Sequence, residues 1–242
     1  MYAAAAGMAA QQDRMDAVSN DIANVNTTGY KRTRVAFRDL VYTEAGLATS
    51  QGVRDGSGSA AVFLGRGTQQ GPLLDSPNPI DVAIAGPGFL ALRGANGQQM
   101  LTRDGHLTID ANGRLMSGTG NPLDPPVQLP RGTQPDDVSI SGDGRVTVGN
   151  QAVGQLRLVT VPSEAGLRSA GNSVFEPTAA SGPVRAAGAE TQVMAGKLEG
   201  SNADMASAMT EMIESQRAFQ LASKAIQTHD RMNEIAIQVK RW

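Results

Sequence analysis

The sequence predicts an α+β fold: N- and C-terminal helices pack as a coiled-coil-like α domain, with an all-β domain between them. Three observations carry this. Each chain end repeats apolar residues every seven positions. The interior instead carries short alternating runs. Those runs are cut every few residues by Gly, Pro or Asn, with 28 glycines in the chain.

In the first stretch Met8, Met15 and Ile22 recur at intervals of seven, beside a row of Ala4, Val18 and Val25 that Gln11 breaks. This is the spacing of a narrow apolar seam on one side of a helix. Asn24, Asn26, Thr27 and Thr28 compete for backbone hydrogen bonds and weaken the helix. Gly29 is then expected to end it in a left-handed conformation. The predicted helix covers about residues 3–26 and is about 36 Å long.

At the other end Met205, Met212, Phe219 and Ile226 repeat every seven, beside a small-residue row of Ala208, Ser215 and Ala222. Met209, Ile213 and Ile237 widen the stripe. Ser201 or Asn202 is the expected N-cap, with Asp204 in the first turn and Lys240 and Arg241 in the last. No Gly or Pro interrupts residues 203–242, so a helix of roughly 38 residues would span about 57 Å. Such a helix cannot bury its stripe on a small β domain, and the other terminus is its expected partner. Both seams are narrow and carry polar breaks at Gln11, Gln216 and Asn233. A two-helix pair of this kind is marginal alone, so copies of the chain or other partners are expected to complete it.

The expected organisation is an N-terminal helix (1–28), a connector (29–60), a β-rich domain (61–198) and a C-terminal helix (199–242). In the connector, Tyr30, Val35, Phe37, Leu40 and Val41 suit a strand or a partly helical link. Lys31, Arg32, Arg34 and Arg38 read as a solvated basic face. Residues 43–61, with their Gly-Ser-Gly-Ser core, read as a flexible linker.

The β region opens with Val62–Leu64, Ile80–Ile84 and Phe89–Leu92. Asp104-Gly105 and Asn112-Gly113 are both hairpin signals. Turns at Gly142–Gly144 and Gly149-Asn150 break a further meander that closes at Leu156, Leu158 and Val161. A last strand is expected at 192–198. The pattern gives about eight to ten short strands over 61–195.

Composition excludes several functions. Charge is nearly balanced, 21 basic against 23 acidic residues, without the basic surplus of a nucleic-acid binder. Cysteine is absent, which removes disulfides and thiolate ligands. No run approaches the roughly 20 apolar residues of a membrane span. No basic region followed by an apolar block marks a Sec-type signal.

The search for chemistry is nearly empty. A Ser-His-Asp triad would need His106 or His229, which follow a turn and sit in the terminal helix, as exposed or packing residues do. Asp75, Asp81, Asp104, Asp110 and Asp143 all lie in Pro- or Gly-rich turns. Asp110-Ala-Asn112-Gly113 begins like a calcium loop but lacks the downstream Glu. Gly65-Arg-Gly67-Thr-Gln-Gln-Gly71 misses the dinucleotide fingerprint by one residue and has no following helix. No catalytic, cofactor-binding or metal-ligating residue is assigned, and the chain is expected not to be an enzyme.

Three blocks of the sequence then carry a resemblance. Ser19-Asn20-Asp21-Ile22-Ala23-Asn24, followed by Thr28-Gly29-Tyr30-Lys31, resembles the helix end "SNNLANxxTxGFK" of the flagellar rod and hook family. Asn78–Leu92, with Asp81, Gly86 and Gly88, is similar to its "NPLDVAIxGxGFF" block, and Leu101–Gly105 to its "YTRDG". Glu199, Ser201, Asn202, Met212, Ile213, Gln216, Arg217, Phe219, Ser223, Lys224, Thr228 and Asp230 fall in place in its closing helix. The blocks come in order and span nearly the whole chain. Length and a single modest β domain look most like the rod types rather than the larger hook protein, and the stretch Ala9–Arg32 leans toward the distal-rod type, with the proximal-rod type next.

The resemblance implies a structural subunit of the basal-body rod, located in the periplasm. It implies export through the flagellar type III apparatus without signal cleavage, and helical homo-oligomerisation into a tubular drive shaft that transmits torque and encloses the export channel. Other rod and hook proteins and the surrounding P- and L-rings would be its neighbours. The terminal helices would line the channel, with Met8, Met15, Val18, Ile22, Val25, Met205, Met212, Phe219 and Ile226 packing between subunits. A hook or hook-associated subunit is the alternative, and an exported peptidoglycan-acting enzyme the reading from another class.

Overall fold

A computed structural model of the chain describes residues 2–40, 42–44 and 54–240. These fold as two compact units. One takes in the described residues of 1–23, 33–64 and 204–242; the other takes in 24–32 and 65–203.

The first unit is built on two helices packed against each other, α1 (Tyr2–Ala23) and α2 (Met205–Lys240). At about 1.5 Å per residue they are about 33 and 54 Å long. The seam differs from the expected one. In α1 the buried residues are Ala10, Ala17, Val18 and Asp21, while Met8, Met15 and Ile22 are half-buried beside them. In α2 the buried positions are Ala208 and Ser215, with Ala222 half-buried. The small-residue row therefore forms the centre, and Met212, Phe219 and Ile226 flank it, half-buried. Small side chains let two helix backbones come close, so the bulky rows are displaced to the sides. Met205 is 43 % exposed, and every residue from Gln227 to Val239 is exposed.

Both helix ends are corrected. α1 stops at Ala23, and Val25 lies in the turn that follows, where the Thr27 amide donates to the Asn24 carbonyl. The N-cap of α2 is Asp204, not Ser201 or Asn202. Its carboxylate accepts from the Ser207 amide at 2.9 Å and the Ser207 hydroxyl at 2.6 Å. These bonds hold the Asp204 carboxyl below its ordinary range. The connector is a strand, Thr33–Asp39, paired with Ser59–Arg66. Residues 42–44 pair with 54–56. The expected linker at 43–61 is thus partly paired strand, and the rest of it lies outside the described residues.

The second unit is all β. Its largest sheet has six strands in the order 168–171, 174–176, 99–102, 89–93, 158–160 and 185–186. Beside it are a three-stranded meander (138–140, 145–148, 151–155) and three pairs: 107–109 with 115–117, 192–195 with 82–85, and 197–199 with 73–75. The strands are shorter and more numerous than expected, because Gly and Pro interrupt them after three to five residues. Ile80, Val82, Ile84, Leu90, Leu92, Leu107, Leu115, Val127 and Val146 fill one core, each at most 1 % exposed. Phe89, Leu101, Val159 and Phe175 fill a second.

The turns at Asn112-Gly113, Gly142–Gly144 and Gly149-Asn150 form as expected, each between antiparallel strands. Asp104-Gly105 does not make a hairpin. Residues 99–102 pair with 89–93 and 174–176, whereas 107–109 pair with 115–117. Gly105 instead lies against the neighbouring backbone, where its carbonyl accepts from the Val82 amide at 3.0 Å. A Cβ on Gly105 would fall 1.5 Å from the Val82 oxygen. The dipeptide carries the chain from one sheet to another.

Candidate functional site

Lys31, Arg103 and Glu199 come from three distant parts of the chain and meet inside the β unit. They are 4, 2 and 1 % exposed. Glu199 Oε1 accepts from Lys31 Nζ at 2.6 Å, from Arg103 Nη1 at 3.2 Å and from the Gly71 amide at 3.0 Å. Its Oε2 accepts from Arg103 Nη1 at 3.0 Å. The rest of the guanidinium is also satisfied. Nε donates to the Gly88 carbonyl at 2.9 Å and Nη2 to the Gly86 carbonyl at 2.6 Å, and the group lies 5.5 Å from the Phe89 ring centroid. Lys31 Nζ donates a second bond to the Gln69 carbonyl at 2.7 Å.

Buried charges are tolerated only when paired and hydrogen-bonded, and here two cations share one carboxylate. Burial, with Arg103 next, pulls the Lys31 ammonium below its ordinary range, while Glu199 pulls the other way. The cluster has no exposed nucleophile and is fully engaged in holding chain segments. Its chemistry is that of a fastener.

The backbone around it explains the motif glycine. Gly29 has φ +65°, and its amide donates to the Glu199 carbonyl at 2.8 Å. A Cβ there would fall 2.6 Å from the Asp104 nitrogen. Gly29 therefore permits a close approach six residues beyond α1, and does not cap the helix. Asn202 closes the same junction. Its amide donates to the Tyr30 carbonyl, its Oδ1 accepts from the Arg32 amide at 2.6 Å, and its Nδ2 donates to the Gln69 carbonyl. Ser201 is buried and accepts from the Ala203 amide.

Asp81 organises a second knot. It is 1 % exposed and accepts from Ser76 Oγ at 2.6 Å, Asn78 Nδ2 at 2.9 Å and the Leu107 amide at 3.3 Å. His106 Nδ1 lies 3.2 Å from it, with the ring about half exposed. His229 is exposed and contacts Asn233. Nearby, burial raises the Asp104 carboxyl above its ordinary range, against hydrogen bonds from Thr28 and the His106 amide. A cleft of about 750 Å³ in this unit is lined by Asp143, Gln155, Leu156 and Arg157 among others, and neither histidine lines it.

The family-motif residues thus divide in two. Gly29, Gly86, Gly88 and Asn202 converge on the buried ionic node, with Ser201 beside it and Asp81 in the adjoining knot. In the helical unit, Asn20, Gln216 and Arg217 are exposed and Asn24, in the other unit, is half-buried. The node itself went unread as a site. Lys31 read as part of a solvated basic face and is buried, while the Gly65–Gly71 stretch, which misses the dinucleotide fingerprint by one residue, supplies Gln69 and Gly71 to it. Lys31, Arg103 and Glu199 fall in three different resemblance blocks, but each block holds other charges and nothing in the sequence singles these out.

Three family profiles match the chain in the same order as these blocks. The profile described as flagella basal body rod protein matches residues 1–31. That of the flagellar hook protein FlgE/F/G D1 domain matches 83–148, and that of the flagellar basal body rod FlgEFG protein C-terminal matches 194–239. The flagellar basal-body rod protein FlgG of Agrobacterium fabrum is 37 % identical, over 96 % of this chain and 95 % of its own length. FlgG of Caulobacter vibrioides is 35 % identical, over 98 % and 97 %.

The chain belongs to the FlgG family of flagellar basal-body rod proteins.

FlgF is a more distant relative: that of Mesorhizobium japonicum is 31 % identical over 91 % of this chain. Like the FlgG family, the chain is a structural, non-enzymatic subunit of the flagellar basal-body rod. Among its described residues no helix is long and apolar enough to cross a membrane.

Proposed function

We propose that this FlgG-family subunit polymerises with copies of itself into the distal part of a helical tube, which transmits torque and encloses the export channel. One observation supports this above others. In the single subunit α2 leaves Met205, Met209, Ile213, Leu221, Met232, Ile235, Ile237 and Val239 between 43 and 70 % exposed, far more apolar surface than a finished helix pair leaves in water. Neighbouring copies would cover it, and a head-to-tail contact that does not close yields an open helical filament.

In this reading Met8, Met15, Val18, Ile22, Val25, Met205, Met212, Phe219 and Ile226 pack within and between subunits, and the exposed Gln216 and Arg217 meet neighbouring chains. The remaining partners are other rod and hook proteins, the type III export apparatus that delivers the subunit, and the P- and L-rings around a periplasm-spanning rod. Deleting the gene and imaging the remaining basal bodies by electron microscopy tests the placement. A rod that stops short and carries no hook is expected. A complete rod and hook would overturn it. For the packing residues, Met212→Asp, Phe219→Asp and Ile226→Asp should each abolish polymerisation, since each places a charge in an apolar seam.

A further inference from the structure

The apolar side chains of α2 change face along its length. The line it buries or half-buries runs through Ala208, Met212, Ser215, Phe219, Ala222 and Ile226. Continued at the same spacing, that line reaches His229, Asn233, Ala236 and Lys240, which are mostly polar. The exposed apolar residues follow another line. Leu221, Ala225, Thr228, Met232, Ile235 and Val239 succeed one another in steps of four and three, the spacing of a stripe that packs on a helix. Leu221, Met232, Ile235 and Val239 are 59 to 70 % exposed. Each member stands one position before a member of the first line, about 100° around the helix.

One flank of this stripe is basic. Arg217, Lys224 and Arg231 repeat every seven, all are exposed, and none has an ion pair or hydrogen bond among the described residues. Asp230 and Glu234 lie on the far side of the helix. Two copies of the stripe therefore do not suit each other. Antiparallel, the basic row would face itself; parallel, it would face Ala222, His229 and Ala236 of the other copy.

The outer face of α1 supplies what is missing. Ala5, Ala9, Gln12, Asp16, Ser19 and Ala23 are exposed and keep the same steps of four and three, on the side away from the buried Ala10 and Ala17. Their small side chains leave a groove that larger ones can fill. Asp13 and Asp16 are the exposed charges of α1, likewise without an ion pair among the described residues. Within one chain α1 turns its opposite side to α2, so these two surfaces can meet only between copies.

We propose, resting on the polymerisation proposed above, that the stripe Leu221–Val239 of one copy docks on the outer face of α1 in a second copy, with Lys224 and Arg231 against Asp13 and Asp16. Large side chains fill a small-residue face, and the sign of the charges selects that face over a second stripe. The contact joins two different surfaces, so every added copy leaves one of each open for the next.

The test uses cells whose own gene is deleted and that are supplied with variant chains, with their basal bodies imaged by electron microscopy. Lys224→Asp with Arg231→Asp should leave nearly all rods short and without a hook, and so should Asp13→Lys with Asp16→Lys. All four changes in one chain should restore rod and hook, since each copy again meets the opposite charge. Complete rods from either charge-reversed pair overturn the docking alone. Failure of the chain with all four changes also overturns it, provided the purified subunit keeps the parent's helicity. If helicity is lost, cross-linking decides, and the chain has no cysteine of its own to interfere. Thr228→Cys combined with Ala5→Cys, Ala9→Cys or Gln12→Cys, in rods of otherwise parental sequence, should give a ladder of linked subunits with a short bis-maleimide. No ladder from any of the three overturns the docking, as does linkage in Thr228→Cys alone, which would mean that stripe meets stripe. Complete rods and hooks in the deleted cells with no chain supplied would instead overturn the reading on which the docking rests.

Discussion

The β unit and the helical unit are held by different means. In the β unit Leu90, Leu92, Leu107 and Leu115 lose all contact with water, and fully burying each such side chain contributes about 1.5–3 kcal/mol. Its buried charges meet a counter-charge within hydrogen-bond distance. In the helical unit the centre of the seam is alanine and serine, the large apolar residues lie at its edges or in water, and one buried amide oxygen has no partner. The β unit is finished within one chain. The helical unit leaves large apolar side chains in water, which the proposed polymerisation would cover.

Four changes should sharpen or break this contrast. The largest effect should come from Glu199→Gln, which leaves Arg103 and Lys31 buried without their counter-charge. A loss of about 3–5 kcal/mol in urea-induced unfolding of the β unit is expected. A loss under about 1 kcal/mol would mean that the node is solvated and the β unit less complete than described. Next is Gly29→Ala, where both the left-handed backbone and the 2.6 Å approach to Asp104 oppose a side chain. It should cost more than about 1 kcal/mol in the same measurement.

Ser215→Leu overfills the fully buried centre of the helix seam. A cost of about 1–3 kcal/mol is expected, read as faster amide exchange in α1 with the β unit's unfolding midpoint unchanged. A shift of that midpoint would show that the two units do not melt separately. The smallest effect belongs to the cap of α2. The Asp204 carboxyl is held below its ordinary range by Ser207, so its contribution is present above the unfolded carboxyl's pKa and is lost as pH falls through the lowered one. An acid titration of helicity should show this step in the parent chain and not in Asp204→Ala.

What was legible in the sequence follows from the range of the forces involved. The helices showed through a periodicity that every turn repeats, and Asn112-Gly113 made its hairpin because a two-residue turn is decided locally. Asp104-Gly105 carries the same local signal and failed, because Arg103 is drawn to Glu199 and the Gly105 carbonyl to Val82, partners with no trace in the neighbouring sequence. The seam was misread by one row. Heptad counting finds Met212 and Phe219 by their size, while the contact centres on Ala208 and Ser215, where smallness brings backbones together. The node eluded local reading altogether: Lys31 beside three arginines has the composition of a wet surface.

The bond between Lys31 and Glu199 joins residues 168 positions apart, and this imposes an order in time. While the chain is being made, Lys31 and Arg103 are already present when their carboxylate does not yet exist. The β unit cannot close until Glu199 and Asn202 have left the ribosome. Until then the three segments that the node joins stay unfastened. Nascent chains stalled shortly before and well after Asn202 emerges should differ sharply in protease resistance across residues 65–203.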